Sequence, residues 1–393
     1  MRIFKSVIFE LMPERNKIIY LDNNATTRLD NRVLEAMLPY FTTDYANASS
    51  SHLFGLTVNE AVEAAREQVA TLISARPKEI TFTSGATEAI NLAIKGLVNS
   101  DKKHIVTVVT EHKAVLDTCA YLEQNGFDVT YLPVNQYGLV NLEDLEAAIR
   151  HDTLLVCVML ANNETGVIQP VSKISSLAHA KGALFMTDAT QAVGKLPIDV
   201  QSFGIDLMPL SAHKFYGPKG VGALYVSAKT RQLIESQQHG GGHERKLRSG
   251  TLNVPGIVGL GKASEIAEDE MNNDKDQIEK LRNYLENELL KITDTYSNGC
   301  KEYRLYNTTN LCFKGISSEK LILSLQNIAV SNGSACSAVT TEPSYVLKAL
   351  GLTDADALAS IRFSLGRFTT IDDIETTITK VTELVATQRQ TAG

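Results

Sequence analysis

The amino-acid sequence predicts an α/β protein with a mostly parallel sheet and a second, smaller α+β domain. Between about residues 60 and 226, segments with helical and strand periodicity alternate at short intervals. This alternation is typical of βαβ units, in which helices cover both faces of parallel strands. After Val226 a glycine-rich loop and a long charged helical pattern end the alternation. A chain of 393 residues is long enough for two domains.

The alternating part begins with the amphipathic helix NEAVEAAREQVATLI, the strand EITFT and the helix EAINLAIKGLV. The strands that follow are HIVTVV, DVTYLP, LLVCVML and ALFMTDA, separated by the helical segments AVLDTCAYLEQNG, NLEDLEAAIR and VSKISSLAHAKG. Two more strand patterns, ending at LMPLS and GVGALYV, complete this part. Ligands of such sheets bind beyond the carboxyl ends of the strands, so polar residues at those ends are candidate site residues.

The second part has a different order of elements. A long charged helix begins near IVGLGKASEIAEDE, and it is followed by the strand NLCFKG, the helix SSEKLILSLQ, the strand IAVS and a last helix near the C-terminus. We interpret this part as the α+β domain, with the N-terminal segment packed on it. The predicted boundaries are 27–260 for the large domain, and 1–26 with 261–393 for the small domain.

Composition excludes several classes of protein. The net charge of −7 and the pI near 5.7, without a run of Lys and Arg, argue against nucleic acid as a partner. No apolar run reaches membrane-spanning length, and Lys5 and Glu10 interrupt the N-terminal apolar residues, so we expect neither a membrane segment nor a signal peptide. The five cysteines form no C-x-x-C pair, which argues against a structural metal site or disulfides and favours a cytoplasmic location.

Four strand ends carry polar residues that can meet at one place. The turn in TFTSGATEAI, at Ser84 to Thr87, can hold a phosphate at a helix N-terminus, although capping alone also explains it. His112 follows the strand HIVTVV, and Asp188 with Gln191 follows ALFMT. Ser211, His213 and Lys214 end the next strand. Taken singly, each is as well explained by packing, capping or solvation.

The combination points to one cofactor. Pyridoxal phosphate needs a lysine that condenses with its aldehyde, a carboxylate beside its pyridine nitrogen, a phosphate cradle and a flat group over its ring. Lys214, Asp188, the turn at Ser84 to Thr87, and His112 supply these four parts. We therefore predict pyridoxal 5'-phosphate as the cofactor.

The sequence also resembles a known family, the pyridoxal-phosphate cysteine desulfurases of the NifS/IscS-like group. The stretches that carry the resemblance are YLDNNATT, FTSGATEAINLAIKG, TEHKAVLDTC, NNETGVIQP, DATQAVGKLPID, SAHKFYGPKG, GGGHERKLRSGT, SNGSACSA, EPSYVLKALGL and IRFSLGRFTT. They cover nearly the whole chain in one order. The resemblance implies the fold-type I architecture of these enzymes, with a seven-stranded, mostly parallel sheet in the large domain.

The resemblance also implies a role for each matching residue. Ala86, Thr87, Ser211 and His213 would contact the phosphate, Asn163 and Gln191 the phenolic side of the ring, and Asp188 the pyridine nitrogen. Thr251 would reach the phosphate bound by the other subunit of a homodimer. Arg362 would bind the substrate carboxylate, helped by Asn24, and a guanidinium suits that bidentate task.

Cys336 is the candidate nucleophile. Its neighbours in SNGSACSAVTTE are small or polar, whereas Cys119, Cys157 and Cys312 fall on helix or strand patterns and Cys300 lies in a turn. The resemblance implies that L-cysteine is the substrate, that Lys214 and His112 move protons, and that Cys336 takes the sulfur as a persulfide. Acceptor proteins, such as an iron–sulfur scaffold or a tRNA-thiolation protein, would then receive it. Whether Cys336 also holds a nascent cluster with a partner stays open.

Three other functions compete with this interpretation. A selenocysteine lyase or an aminotransferase of the same fold type would share Lys214 and Asp188, but an aminotransferase has no use for a loop cysteine. A scaffold protein that only docks partners would not need Lys214, Asp188, His112 and Cys336 together. We expect cysteine desulfurase activity.

Overall fold

The computed structural model describes residues 17–333 and 342–392. A seven-stranded sheet lies at its centre. Its strands are β2 (Ile80–Thr83), β3 (His104–Val108), β4 (Asp128–Leu132), β5 (Thr153–Cys157), β6 (Leu184–Met186), β7 (Leu207–Ser211) and β8 (Gly222–Val226), in the spatial order β2-β8-β7-β6-β5-β3-β4. Strand β8 is antiparallel to both of its neighbours, and the remaining pairs are parallel. The predicted mostly parallel, seven-stranded sheet is confirmed.

Helices cover both faces of this sheet. The helices of this part are α1 (Asn31–Met37), α2 (Pro39–Thr42), α3 (Leu53–Leu72), α4 (Ala86–Lys95), α5 (Lys113–Glu123), α6 (Leu142–Ala148), α7 (Val171–Ala180) and α8 (Val254–Leu289). Helices α3, α7 and α8 share one apolar core with Val106 and Phe185, and α4 and α5 share another with Ile105 and Leu155. Consecutive strand residues point to opposite faces, so strands covered on both sides need continuous apolar runs such as LLVC in β5.

A smaller antiparallel sheet follows. The C-terminal elements are β9 (Thr295–Ser297), β10 (Thr308–Phe313), α9 (Ser318–Ser324), β11 (Ile328–Ala329), α10 (Tyr345–Ala349), α11 (Asp354–Leu358), β12 (Ser360–Ser364) and α12 (Ile371–Ala392), and the sheet has the order β12-β10-β9. A short N-terminal strand, β1 (Ile19–Tyr20), pairs with β11, and Ile19 and Leu21 join the apolar core of this part. The N-terminal segment, from residue 17 onward, therefore packs on the C-terminal unit.

Helix α8 belongs to both parts. Its first half contributes Ile257 and Leu260 to the core under the large sheet, and its second half contributes Ile278 and Leu285 to the core of the small sheet. The predicted boundary at residue 260 lies inside this helix. The division into two domains stays a prediction. Within the described ranges, no helix has the length and apolar composition that crossing a bilayer requires.

Candidate active site

A cavity of ~980 Å³ opens at the carboxyl ends of the large sheet. The predicted site residues that line it are Asn24, Ala86, Thr87, His112, Asn163, Asp188, Gln191, Ser211, His213, Lys214 and Arg362. Thr251 is exposed and lies outside this cavity, and its role toward another subunit stays a prediction. Cys336 lies outside the described residues. Gly333 and Glu342, which flank that undescribed segment, both line the cavity.

The turn between β2 and α4 forms an anion cradle. Gly85 has φ 154° and ψ 179°, a conformation that a residue with a side chain avoids, and it places the start of α4 directly after the strand. Gly85 has no side chain to cap the helix, so the first amide N–H groups of α4 are left for a ligand at the positive end of the helix dipole. The Thr83 hydroxyl donates to the Gly85 carbonyl oxygen at 3.0 Å and fixes the turn.

Lys214 lies on a short 3-10 turn that directly follows β7. Its Nζ donates to the carbonyl oxygens of Asn24 and Ala25, at 2.7 and 2.8 Å. A second amine lies next to it: Lys195 Nζ donates to the Gln191 carbonyl oxygen at 2.9 Å and to the Lys214 carbonyl oxygen at 3.2 Å. Burial, with the positive charge of Lys214, lowers the pKa of Lys195 to about 7. Lys195 thus supports the backbone of Lys214 while being only partly protonated near neutral pH.

His112 is held as a neutral ring. It is the N-cap residue of α5, and its Nδ1 accepts the amide N–H of Ala114 at 3.1 Å, which leaves no room for a proton on Nδ1. Burial lowers the pKa of His112, and the charge of Lys214 adds to that effect although Asp188 opposes it. A neutral imidazole fixed in this way can stack on a flat ligand and use Nε2 for a proton.

His213 is neutral as well. Its Nδ1 lies 3.1 Å from the Thr26 hydroxyl oxygen. Burial, and the neighbouring amines of Lys214 and Lys219, lower the pKa of His213 to about 4. At neutral pH the ring can donate a single N–H to an anion in the cradle.

The polar floor of the cavity contains unsatisfied groups. The Asp188 Oδ1 accepts the amide N–H of Thr190 at 2.9 Å. The buried side-chain oxygens of Asn163, Thr190 and Gln191 have no hydrogen-bond partner among the described residues. Buried polar atoms usually have partners, so this group is suited to contact a polar ligand. Burial and the Asp188 carboxylate raise the pKa of Glu111 well above its usual range.

Arg362 approaches the cavity from β12 and is almost completely buried. Its guanidinium donates to the Asn163 carbonyl oxygen at 2.9 Å and to Asp22 Oδ1 at 2.5 Å, while Nε has no partner among the described residues. Asn24 donates from Nδ2 to the same Asn163 carbonyl oxygen at 3.1 Å. The two residues predicted to bind the substrate carboxylate, Arg362 and Asn24, therefore lie side by side, and Asp22 holds the guanidinium in place.

Residues 19–377 match the family model "Aminotransferase class-V". The cysteine desulfurase IscS of Escherichia coli (strain K12 / DH10B) is 52% identical over 377 residues, which is 94% of this chain and 93% of that protein. The IscS of Shigella boydii serotype 18 matches with the same figures. The chain belongs to the class-V aminotransferase family, in its cysteine desulfurase branch.

Three solved structures have the same architecture. A NifS-like protein superposes with a TM-score of 0.88 at 40% identity, over 94% of this chain and all 100% of that one. The NifS-like protein of Rickettsia africae gives 0.85 at 32% identity, over 94% and 99% of the two chains. SspA in complex with cysteine gives 0.77 at 38% identity, over 89% and 99%. The predicted fold class and family are confirmed.

The enzymes of this branch depend on pyridoxal phosphate, and the cavity residues fit that cofactor. The unpaired oxygens of Asn163, Thr190 and Gln191 provide polar contacts, the turn at Gly85 accepts a phosphate, and the cavity is large enough to hold a ring with its substrate. Asp188 would lie at the pyridine nitrogen and Lys214 at the aldehyde. The assignment of each contact stays a prediction.

Sequence reasoning missed several charged residues of the site. Asp22, Glu111, Glu164 and Lys195 are buried or half-buried, and the sequence patterns around them assign them no role. For Lys195 a signal existed, because it lies four residues after Gln191 within DATQAVGK, the spacing of one helical turn. For Asp22 and Glu164 no local signal existed, since their partners lie far along the chain.

Proposed function

We propose that the cysteine desulfurase activity of this branch is carried here by Lys214, His112 and Cys336. One observation supports this most: Lys214, His112 and Asp188 line one cavity. Side-chain oxygens without a hydrogen-bond partner among the described residues line the same cavity. The same cavity is bordered by Gly333 and Glu342, the residues on either side of the segment with Cys336. A thiol between those two positions is a candidate for attack on a substrate sulfur.

Each side chain has a defined task in this proposal. Pyridoxal phosphate, when bound, supplies an electron sink for the Cα and Cβ of the amino acid. Lys214 Nζ takes the α-proton of L-cysteine, and His112 Nε2 exchanges protons with the substrate sulfur. The Cys336 thiolate attacks that sulfur, so that an S–S bond forms while the Cβ–S bond breaks. The carbon skeleton gains a proton and leaves as L-alanine, and the sulfur stays on Cys336 as a persulfide.

Arg362 binds the substrate carboxylate in this proposal, and Asn24 helps it. Replacing Arg362 by lysine should raise the KM for L-cysteine about tenfold or more with a smaller change in kcat, because an ammonium cannot form the bidentate pair. Arg367→Lys is the matched control, because Arg367 does not line the cavity and is paired with Asp274 and Asp30. An equal rise in KM for both variants would contradict the assignment.

The persulfide sulfur passes to acceptor proteins for iron–sulfur cluster assembly, and tRNA thiolation is a further destination.

We also propose a homodimer. Leu38, Phe41, Tyr45 and Leu53 are 52%, 59%, 70% and 80% exposed, and so many apolar side chains on residues 34–56 are typical of a protein interface. Thr251 would then reach the partner's phosphate. Light scattering distinguishes a dimer from the 42.9 kDa monomer.

We place the enzyme in the cytoplasm, where its thiols stay reduced. All four described cysteines are free. Cytosolic reductants keep such thiols free, whereas secreted proteins usually pair them.

The proposed function is tested by measuring both products, L-alanine and sulfide, in the same reaction. The purified enzyme, loaded with pyridoxal phosphate and given L-cysteine with a thiol reductant, should release L-alanine and sulfide in equal amounts. A selenocysteine lyase would release alanine from L-selenocysteine but little from L-cysteine, and a docking scaffold would release none. Either of these outcomes would reject the proposal.

A further inference from the structure

Glu164 is a buried carboxyl group that has no task in the proposed chemistry. It follows Asn163 in the loop after β5, it lines the cavity, and only 2% of its surface is exposed. Its amide N–H donates to Asn162 Oδ1 at 2.8 Å, and its carbonyl oxygen accepts from Asn310 Nδ2 at 3.2 Å. The backbone of Glu164 is thus fixed between the two sheets, so its side chain is presented in a defined position.

The Glu164 carboxyl contacts both ends of the segment that contains Cys336. On the C-terminal side, the Ser344 hydroxyl donates to Glu164 Oε2 at 2.5 Å. On the N-terminal side, Gly333 lies so close that a Cβ added there would overlap with the same Oε2. Gly333 also has φ +87°, where a side chain is strained. Both conditions explain glycine at position 333.

Each end continues into a fixed element beyond this contact. Ser344 is the N-cap of α10, and its Oγ accepts the amide N–H of Leu347 at 3.2 Å. The Gly333 amide donates to the Ser331 hydroxyl at 3.1 Å, and the Ser331 backbone pairs with Arg362 on β12. The carboxyl therefore joins the start of a helix to a bridge on the small sheet.

We propose that Glu164 is a positioning residue, whose carboxyl clamps Gly333 and Ser344 together and so sets the span that the segment with Cys336 must bridge. This proposal rests on the proposed role of Cys336. The clamp acts through Cys336 and does not itself touch the reacting sulfur. Its removal should affect the delivery of the thiol and leave the binding of L-cysteine unchanged.

The burial of Glu164 also makes the stability of the protein depend on pH. Burial raises the pKa of Glu164 to about 7, opposed by the Ser344 hydrogen bond and by the charge of Arg362. Arg362, itself paired with Asp22, is the charged group of the described residues that acts on Glu164. A carboxyl whose pKa is raised on folding stabilises the fold at low pH, and that contribution is lost as pH rises through the folded value. The free energy of unfolding that Glu164 contributes should therefore be largest near pH 5 and fall as the pH rises through about pH 7.

Hydrogen exchange of the two ends tests the clamp without turnover. At pH 6, Glu164→Ala should raise the corrected exchange rate of peptides with residues 331–333 and with 344–350 by about tenfold or more, because a buried hydrogen bond to a carboxyl group is lost. Glu164→Gln keeps an uncharged group of the same shape. It should retain the protection at pH 6, because its amide oxygen can still accept from the Ser344 hydroxyl. Its free energy of unfolding should change less between pH 6 and pH 8 than that of the unmodified enzyme.

The control is Ser317→Ala, which removes another N-cap serine, that of α9, with no carboxyl partner on its hydroxyl among the described residues. Ser344→Ala should raise exchange at both ends, whereas Ser317→Ala should raise it only near α9. Unchanged exchange in Glu164→Ala, or a rise at one end alone, would overturn the clamp.

The kinetic consequence separates this proposal from the proposed function. Glu164→Ala should lower kcat for sulfide release about tenfold with little change in the KM for L-cysteine. If exchange responds as expected while Cys336→Ala still desulfurates, the clamp stands and the role of Cys336 fails. If Cys336→Ala is inactive while exchange does not respond, the role of Cys336 stands and the clamp fails.

Discussion

Replacing Lys214 by alanine is expected to lower the release of alanine and sulfide by about 10³-fold or more, since one side chain supplies both the covalent attachment of the cofactor and the proton transfer at Cα. The structure places this amine in a cavity of polar atoms, with Nζ 2.7 Å from the Asn24 carbonyl oxygen. The Asp188 carboxylate and the turn at Gly85 are unchanged in the variant. It should therefore still bind pyridoxal phosphate, but without a bond to the protein.

Borohydride reduction followed by peptide mass analysis measures this bond directly. The unmodified enzyme should carry the cofactor mass on the peptide with Lys214, and Lys214→Ala should carry none. Lys219→Ala is the matched control, because Lys219 lines the same cavity and its replacement removes the same charge. Label on Lys195, whose pKa of about 7 makes it a reactive amine, would show that the wrong lysine was assigned.

The large sheet could be predicted because its strands are apolar with little interruption. Every residue of β3, β5, β7 and β8 is buried, so the strand patterns are visible in the sequence itself. The polar residues at their carboxyl ends then converge by the geometry of parallel strands alone. That is why the sequence alone is enough to place His112, Asp188 and Lys214 in one site.

The small sheet was predicted less completely. Strand β12 carries Arg362 at its centre, and a charged residue in the middle of IRFS conceals a strand that is entirely buried. The burial is possible because Asp22, from the other end of the chain, pairs with the guanidinium at 2.5 Å. The sequence pattern around Arg362 contains no information about so distant a partner. Without that partner, burying the charge of Arg362 would destabilise the fold.

Glu164 and Lys195 show the same limit. Charged side chains are expected at the surface unless they are paired, so a buried carboxyl or amine is visible only after the chain is folded. Both lie close in sequence to residues that the motifs did identify, Asn163 and Gln191. Their shifted pKa values, each about 7, arise from burial and cannot be inferred from residue type.

Replacing Cys336 by alanine is expected to reduce sulfide release from L-cysteine by about 10³-fold or more, while cofactor attachment at Lys214 is retained. The described thiols are poor substitutes. Burial raises the pKa of Cys119 to about 12, and it raises the pKa of Cys157 and Cys312 as well. A thiol with a raised pKa is scarcely ionised at neutral pH, so none of these three can take over the attack.

Cys300→Ala is the control for Cys336→Ala, because Cys300 is the described cysteine that is partly exposed and could pick up sulfur adventitiously. The enzyme is given one equivalent of L-cysteine without reductant, and the extra sulfur is located by peptide mass. It should lie on Cys336 in the unmodified enzyme and in Cys300→Ala, and be absent from Cys336→Ala. Normal desulfuration by Cys336→Ala would remove the nucleophile from the proposed function, whereas the contacts of Glu164 with the two ends are judged by hydrogen exchange alone.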